Sequence, residues 1–335
     1  MSDLEIFNLC SKFDIEILEE ASYILWNVWK TVYNPSNPTL QACITALTED
    51  SKLYEMLKRA HSEKKFLVNT SGSGKTRLIL EGLCHKWGFY FTSLVDSSLL
   101  GSSDVQNSIR HYVPDSQGFK SALPPTSSSQ HELSLNNNRQ IASRIFGQLF
   151  LARLLVFNLF VDVMDELSDV EDLTDAQTTA YRQRWLLLQL QPNLIHPKIW
   201  DPFDDITRKL SRASESYINT TTQTLLSRVR KLCIDKTMPS SNEAHQAPIF
   251  CVLDEAQYAA TQHSSAFRSE NGAVHRPILR EIVRAWESQT SGQGVFMVVA
   301  GTGISKDVVD QAMASAIMKE SKYRWCSDTG AFDNQ

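Results

Sequence analysis

No C-x-x-C pair occurs in the 335 residues, and none of the six cysteines (Cys10, Cys43, Cys84, Cys233, Cys251, Cys326) has a histidine at metal-ligand spacing. That pattern argues against a zinc site or a disulfide framework and implies reduced, mostly buried thiols in a cytosolic or nuclear protein. A basic surplus is also missing: 33 Lys and Arg against 38 Asp and Glu leave a net charge of −5. The chain has no overall electrostatic footprint for nucleic acid or an anionic membrane. The opening MSDLEIFNLCSKFDIEILEE lacks a basic start and a long apolar stretch, so no secretory signal is visible and the expected location is intracellular. Long apolar runs are absent too. Within Ile145 to Met164 the longest uncharged stretch, between Arg153 and Asp162, is eight residues. A membrane span needs ~20 apolar residues, so this segment reads as a buried helix of a soluble protein. No internal repeat is evident.

What is present centres on Lys64 to Trp87, KKFLVNTSGSGKTRLILEGLCHKW. A short apolar strand (Phe66, Leu67, Val68) runs into a small Gly-rich turn, which opens a helix at Lys75 and Thr76. This is the layout of a phosphate-binding loop, in which backbone N–H groups and a helix N-terminus point at an anion. Against the template G-x-x-x-x-G-K-S/T, Gly74, Lys75 and Thr76 match, while Asn69 stands at the first glycine. Asn is the non-Gly residue that most readily takes positive φ, so the loop geometry remains accessible.

The rest of the chain fits an α/β fold. Residues 1 to 60 read as a helical region, and 61 to 335 as one α/β domain. The helix from Lys75 presents Leu78, Ile79, Leu83 and Trp87 on one face and stops at Gly88; Phe89 to Leu94 is a second strand. Residues 113 to 138 are rich in Ser, Pro, Asn and Gln and read as a flexible loop. Residues 139 to 246 read as a helical insertion. It includes a mostly apolar helix over Ile141 to Leu167, a capping box from Thr174 and Gln177, a helix opened by Asp201-Pro202, and another over Thr221 to Ile234. Two fully apolar strands follow, Ile249 to Leu253 and Val295 to Ala300, separated by a helix over Pro277 to Glu287. A last helix is expected over Lys306 to Lys319.

These segments imply a chemistry. Lys75 would reach the β- and γ-phosphates, and the Thr76 hydroxyl would ligate Mg²⁺. The nucleotide-binding set is Asn69, Thr70, Ser71, Gly72, Ser73, Gly74, Lys75, Thr76 and Arg77. Asp254 and Glu255 end the strand from Ile249, where an open α/β sheet binds its ligands. Asp254 would hold the metal, and Glu255 would act as general base towards water. Two acids capping the next helix is the plainer reading of that pair. Thr302, at the end of the next strand, would sense the γ-phosphate or orient water. Arg268, Arg276, Arg280 and Arg284 lie between the two strands; one could be an arginine finger, although a solvated helix face is the plainer reading.

With NTSGSGKT (Asn69 to Thr76), CVLDEAQ (Cys251 to Gln257) and VFMVVAGTG (Val295 to Gly303), the chain resembles P-loop NTPases with an additional catalytic glutamate, the AAA+ and STAND-like group. FLVNTSGSGKTRLILEGLCHKWGFYFT, FGQLFLARLLVF and DTGAFD further resemble the NTPase modules of fungal Crinkler-type effector-related proteins. The resemblance implies ATP as the nucleotide and a three-layer α/β/α fold with a parallel sheet in the order 5-1-4-3-2. The fifth strand falls near Tyr323 to Cys326. No helical lid with a sensor arginine follows Gly303, so the expectation is of a C-terminally truncated chain or a site lacking part of its machinery.

The function expected is therefore Mg²⁺-dependent ATP hydrolysis driving a switch or remodelling step, with a protein partner or self-association through the helical regions. A non-hydrolysing nucleotide-binding interaction module is the alternative. A helicase-like motor is another, but the residues after Glu255 contain no Q-x-x-G-R-x-x-R pattern.

Overall fold

The computed structural model describes residues 64–69, 75–95, 99–167, 174–195, 199–235, 249–267, 276–304 and 323–326. The expected N-terminal helices, the loop residues Thr70 to Gly74, Arg268 and the helix from Lys306 lie outside them. The described chain is mixed α/β and mostly helical, built on a parallel sheet. Its strands are β1 (Lys64–Asn69), β2 (Gly88–Thr92), β3 (Ile249–Asp254), β4 (Val295–Thr302) and β5 (Tyr323–Cys326). They lie in the order β2-β3-β4-β1-β5, with every neighbouring pair parallel.

Parallel strands need crossovers, and the helices that make them cover both faces. Every residue of β2 and β3 is buried. The period of two along each strand sorts its side chains between two cores. Tyr90, Phe250, Val252, Val298 and Ala300 pack with Ile79, Leu80 and Leu83 of α1 (Lys75–His85) and with Leu186 and Leu190 further along the chain. Phe89, Phe91, Cys251, Leu253, Met297 and Val299 face the opposite way, into a larger core.

That larger core is dominated by α3 (Gln130–Leu167), which follows a short helix α2 (Asp104–Asn107). Phe150 and Phe157 of α3 meet Phe89 edge-on, with ring centroids 5.5 and 5.3 Å away. α4 (Asp175–Leu190) contributes Trp185, whose indole N–H donates to Gly88 O at 2.7 Å. The helices α5 (Pro202–Lys209) and α6 (Glu215–Asp235) complete the insertion. After β3 come the one-and-a-half-turn α7 (Ala256–Thr261) and α8 (Ile278–Thr290), whose Trp286 packs against Phe91 with the rings tilted by 34° and centroids 4.4 Å apart. Among the described residues, one helix is long and apolar enough to cross a membrane, α3, and 94% of its most apolar window is buried inside the fold.

Three expectations need correction. The polar tract does not stay a loop to Asn138, because α3 already begins at Gln130. Apolar and polar contacts order it together: Leu135 is buried and Phe119 packs against Phe267, while the buried Asn138 amide accepts from Lys120 N and donates to Lys120 O and Ala266 O. Trp87 does not share the face of Ile79 and Leu83. α1 ends at His85, so Trp87 turns into the larger core beside Phe157 and Phe160. Gly88 is a strand residue rather than a helix stop; a β-carbon there would lie 2.6 Å from Phe250 O.

Candidate active site

In a parallel sheet all strands end at the same edge, and the register fixes which ends are neighbours. Thr92 of β2 lies beside Asp254 of β3, and Asn69 of β1 beside Thr302 of β4. Five residues after β1, α1 begins with Lys75. This brings residues far apart in sequence to one place. The Thr76 hydroxyl donates to Asp254 Oδ2 at 2.8 Å, across 178 positions of chain.

Asp254 has two further donors. The Tyr90 hydroxyl reaches Oδ2 at 3.2 Å, and the Glu255 backbone N–H reaches Oδ1 at 2.9 Å. The carboxylate is 2% exposed. Burial raises its pKa, opposed by the Glu255 N–H, the two hydroxyls and the Lys75 charge. Lys75 is itself buried, which lowers its pKa, while the charges of Asp254 and Glu255 push it back up. An ammonium and two carboxylates thus share a poorly solvated corner of the sheet edge, where charge interactions are stronger than in water.

Glu255 is half-buried and takes a left-handed backbone conformation, φ 52°. It precedes α7 but makes no side-chain cap to it, which removes the plain helix-capping reading for this residue. Its carboxylate instead accepts from the Gln257 side-chain amide. The other end of that amide, Oε1, accepts the Thr302 backbone N–H at 3.0 Å. Gln257 therefore ties the acid after β3 to the end of β4. The approach needs Gly301, where a β-carbon would meet Gln257 Oε1 at 2.9 Å and Ile304 Cδ1 at 2.5 Å.

Of the residues singled out from sequence, the fold brings Lys75, Thr76, Asp254, Glu255 and Thr302 together, with Asn69 at the adjoining strand end. Arg77 is exposed on α1. Thr302 engages Gln257 through its backbone N–H. No hydrogen bond or ion pair among the described residues links Arg276, Arg280 or Arg284 to this set; the charges acting on Arg276 and Arg280 include Arg139, Glu281 and Arg284.

Two contributors were missed. Tyr90 sits mid-strand in an apolar run, and nothing in FYFT marks one ring as polar-facing; the signal was its place two residues before the strand's end. Gln257, two residues beyond Glu255 on the first turn of a helix, could have been found as a neighbour of the acid.

No family model, no curated protein and no solved structure matches the chain.

Proposed function

We propose that this chain binds ATP with Mg²⁺ at the carboxyl edge of its sheet and hydrolyses it, as a P-loop NTPase with an additional catalytic glutamate. The observation that carries the reading is the hydrogen bond from Thr76 to Asp254. It joins the hydroxyl that opens a helix after a phosphate-loop sequence to a buried carboxylate at the end of β3, which β4 separates from β1. The strand order, read as β5-β1-β4-β3-β2, supports the same reading. The narrower kinship with Crinkler-type NTPase modules is part of the proposal and rests on the sequence resemblance.

The donor set suits magnesium. Hydroxyl and carboxylate oxygens are hard ligands, and a carboxylate whose burial raises its pKa is stabilised by a nearby dication. Thr76 and Asp254 would hold the ion, which when bound neutralises charge on the β- and γ-phosphates. Lys75 places a second positive charge against the same phosphates. Its partial burial strengthens that attraction. Glu255 is the base that takes a proton from the attacking water at its carboxylate. Gln257 fixes that carboxylate relative to β4, so the base keeps its position when the γ-phosphate arrives. Coupling of turnover to a partner or to self-association through the helical insertion completes the proposal.

The test is ATP binding and turnover by the wild type and two variants. Lys75→Ala should lose ATP binding. Glu255→Gln should keep it while turnover falls by about 10²–10⁴-fold. Tight binding unaffected by Lys75→Ala would sink the reading, and binding without turnover by the wild type would select a non-hydrolysing module.

A further inference from the structure

The outer edge of the sheet is held by the helical insertion, and the contacts that hold it reach the candidate active site. β2 has one neighbouring strand, β3. The residues flanking β2 bond on that side: Trp87 O accepts from Phe250 N at 2.9 Å, and Ser93 N donates to Asp254 O at 2.9 Å. The alternate residues, Gly88 and Tyr90, turn their backbone groups away from β3, where an edge strand normally meets water or another strand. Here side chains meet them instead. Gly88 O accepts the Trp185 indole N–H and, at 3.3 Å, the Gln189 amide N–H. Tyr90 N–H donates to Gln189 Oε1 at 2.8 Å, and Tyr90 O accepts from Arg153 Nη1 at 2.9 Å. Gln189 and Arg153 are fully buried.

Satisfying a buried edge is the plain purpose of such contacts, because an unpaired buried N–H or C=O forfeits its hydration. Tyr90 adds something to that. The hydroxyl of this same residue donates to Asp254 Oδ2 at 3.2 Å. Thr76 donates to that oxygen too, from α1, but Thr76 belongs to the proposed metal set. Tyr90 does not, so its bond holds the carboxylate without competing for the ion. The polar groups of Tyr90 thus serve three elements: its N–H meets α4, its C=O meets α3, and its hydroxyl meets the carboxylate that ends β3. Two hydrogen bonds and one buried ring run from Gln189 to Asp254. A displacement of α4 against β2 is carried along this contiguous path to the carboxylate.

We propose that Tyr90 is a positioning residue for Asp254 and that α4 sets it through Gln189, so that the helical insertion governs the metal-dependent part of nucleotide binding. This rests on the ATP and Mg²⁺ reading of the site. It gives coupling to a partner a physical route: whatever shifts α4 changes metal-assisted affinity without touching the nucleotide. Removing a hydrogen-bond partner of a metal-ligating carboxylate typically costs about 10–100-fold in metal affinity.

Calorimetric titration of the full chain with ATP, once in excess Mg²⁺ and once in EDTA, separates the metal-dependent gain in affinity from the rest. In the wild type Mg²⁺ should tighten binding. Tyr90→Phe keeps the ring and removes the hydroxyl; its gain should fall by about 10-fold, while its Kd in EDTA stays the same. Gln189→Leu should lower the gain in the same way, yet add nothing in the Tyr90→Phe background, because both changes cut one path. Trp185→Phe removes a donor from the same edge but not from Tyr90. It should lower the urea midpoint and leave the gain unchanged. A wild type whose ATP affinity does not respond to Mg²⁺ would overturn the nucleotide reading and this proposal together. A wild type that responds, with Tyr90→Phe keeping the whole gain, would overturn the positioning role alone. So would additive losses in the double variant, or a loss in Trp185→Phe equal to that in Gln189→Leu.

Discussion

Gln257 accepts the backbone N–H of Thr302 at 3.0 Å while its own amide N–H holds the Glu255 carboxylate. One side chain thus couples the end of β4 to the acid that follows β3. If Glu255 is the base, its aim depends on that amide. Gln257→Leu keeps the volume and removes both hydrogen bonds. Turnover should fall by about 10- to 100-fold, the scale of a misplaced catalytic group, while the KM for ATP changes little. Gly301→Ala should act in the same direction by displacing the same amide. A rise in KM with kcat intact would mean that Gln257 serves binding rather than positioning.

The Thr76 hydroxyl is one of three hydrogen-bond donors to the buried Asp254 carboxyl group, each opposing the rise in its pKa that burial causes. Thr76→Val keeps the β-branched shape and deletes the donor. Loss of that bond should destabilise the nucleotide-free protein by about 1–2 kcal/mol. It should also raise the Mg²⁺ concentration needed for half-maximal turnover. Urea denaturation and a Mg²⁺ titration read the two effects separately. Unchanged Mg²⁺ dependence would remove Thr76 from the metal set.

Much of this edge was legible in the sequence because it lies on regular elements. A five-residue apolar run that ends in Asp254-Glu255 can hardly be anything but a buried strand with its acids at one end. Lys75 and Thr76 open a helix whose apolar spacing is plain. What stayed hidden is set by register. Tyr90 reaches Asp254 only because β2 pairs with β3 so that Thr92 faces Asp254. Gln257 meets Thr302 only because β3 and β4 are neighbours. The fate of the polar tract before Asn138 was hidden for a different reason. Part of its order comes from one buried amide bridging Lys120 and Ala266, a contact that no hydrophobic periodicity reveals.

Arg153 shows how such polar groups are held in the core. It is fully buried on α3, with Nε donating to Asp104 Oδ2 at 2.8 Å and Nη1 to Tyr90 O at 2.9 Å. The Phe203 ring lies 4.1 Å from its guanidinium carbon, and the Phe91 ring 4.8 Å. Removing the cation leaves the buried Asp104 carboxylate with the Val105 N–H and beside the carboxylates of Asp201 and Asp204. Arg153→Met should therefore destabilise by about 3–5 kcal/mol, the scale for breaking one side of a buried pair. Adding Asp104→Leu should recover part of that loss, as denaturant midpoints of the single and double variants would reveal. A double variant less stable than Arg153→Met would mean that Asp104 is satisfied without Arg153.

The same corner of the insertion predicts an unusual pH response. Asp204, at the start of α5, has its pKa pushed up to about 6, mainly by burial, with hydrogen bonding from Tyr112 pulling the other way and the charges of Asp201 and Asp104 adding to the rise. Asp201 is shifted in the same direction. A raised carboxyl pKa means that the folded chain binds the proton more tightly than the unfolded chain does. The stability this gives is full below the ordinary value of 3.8 and is lost as pH rises through about 6. The loss from Asp204 is at most about 3 kcal/mol, given ~1.4 kcal/mol per pKa unit. Asp204→Asn keeps an acceptor for the Tyr112 hydroxyl, which lies 2.9 Å from the carboxylate, and removes the titration. Urea unfolding from pH 4 to 8 should then give a flatter profile for the variant, with its gain over wild type growing between about pH 4 and 6 and level above that. Parallel profiles would show that Asp204 ionises in the folded protein as readily as in the unfolded one.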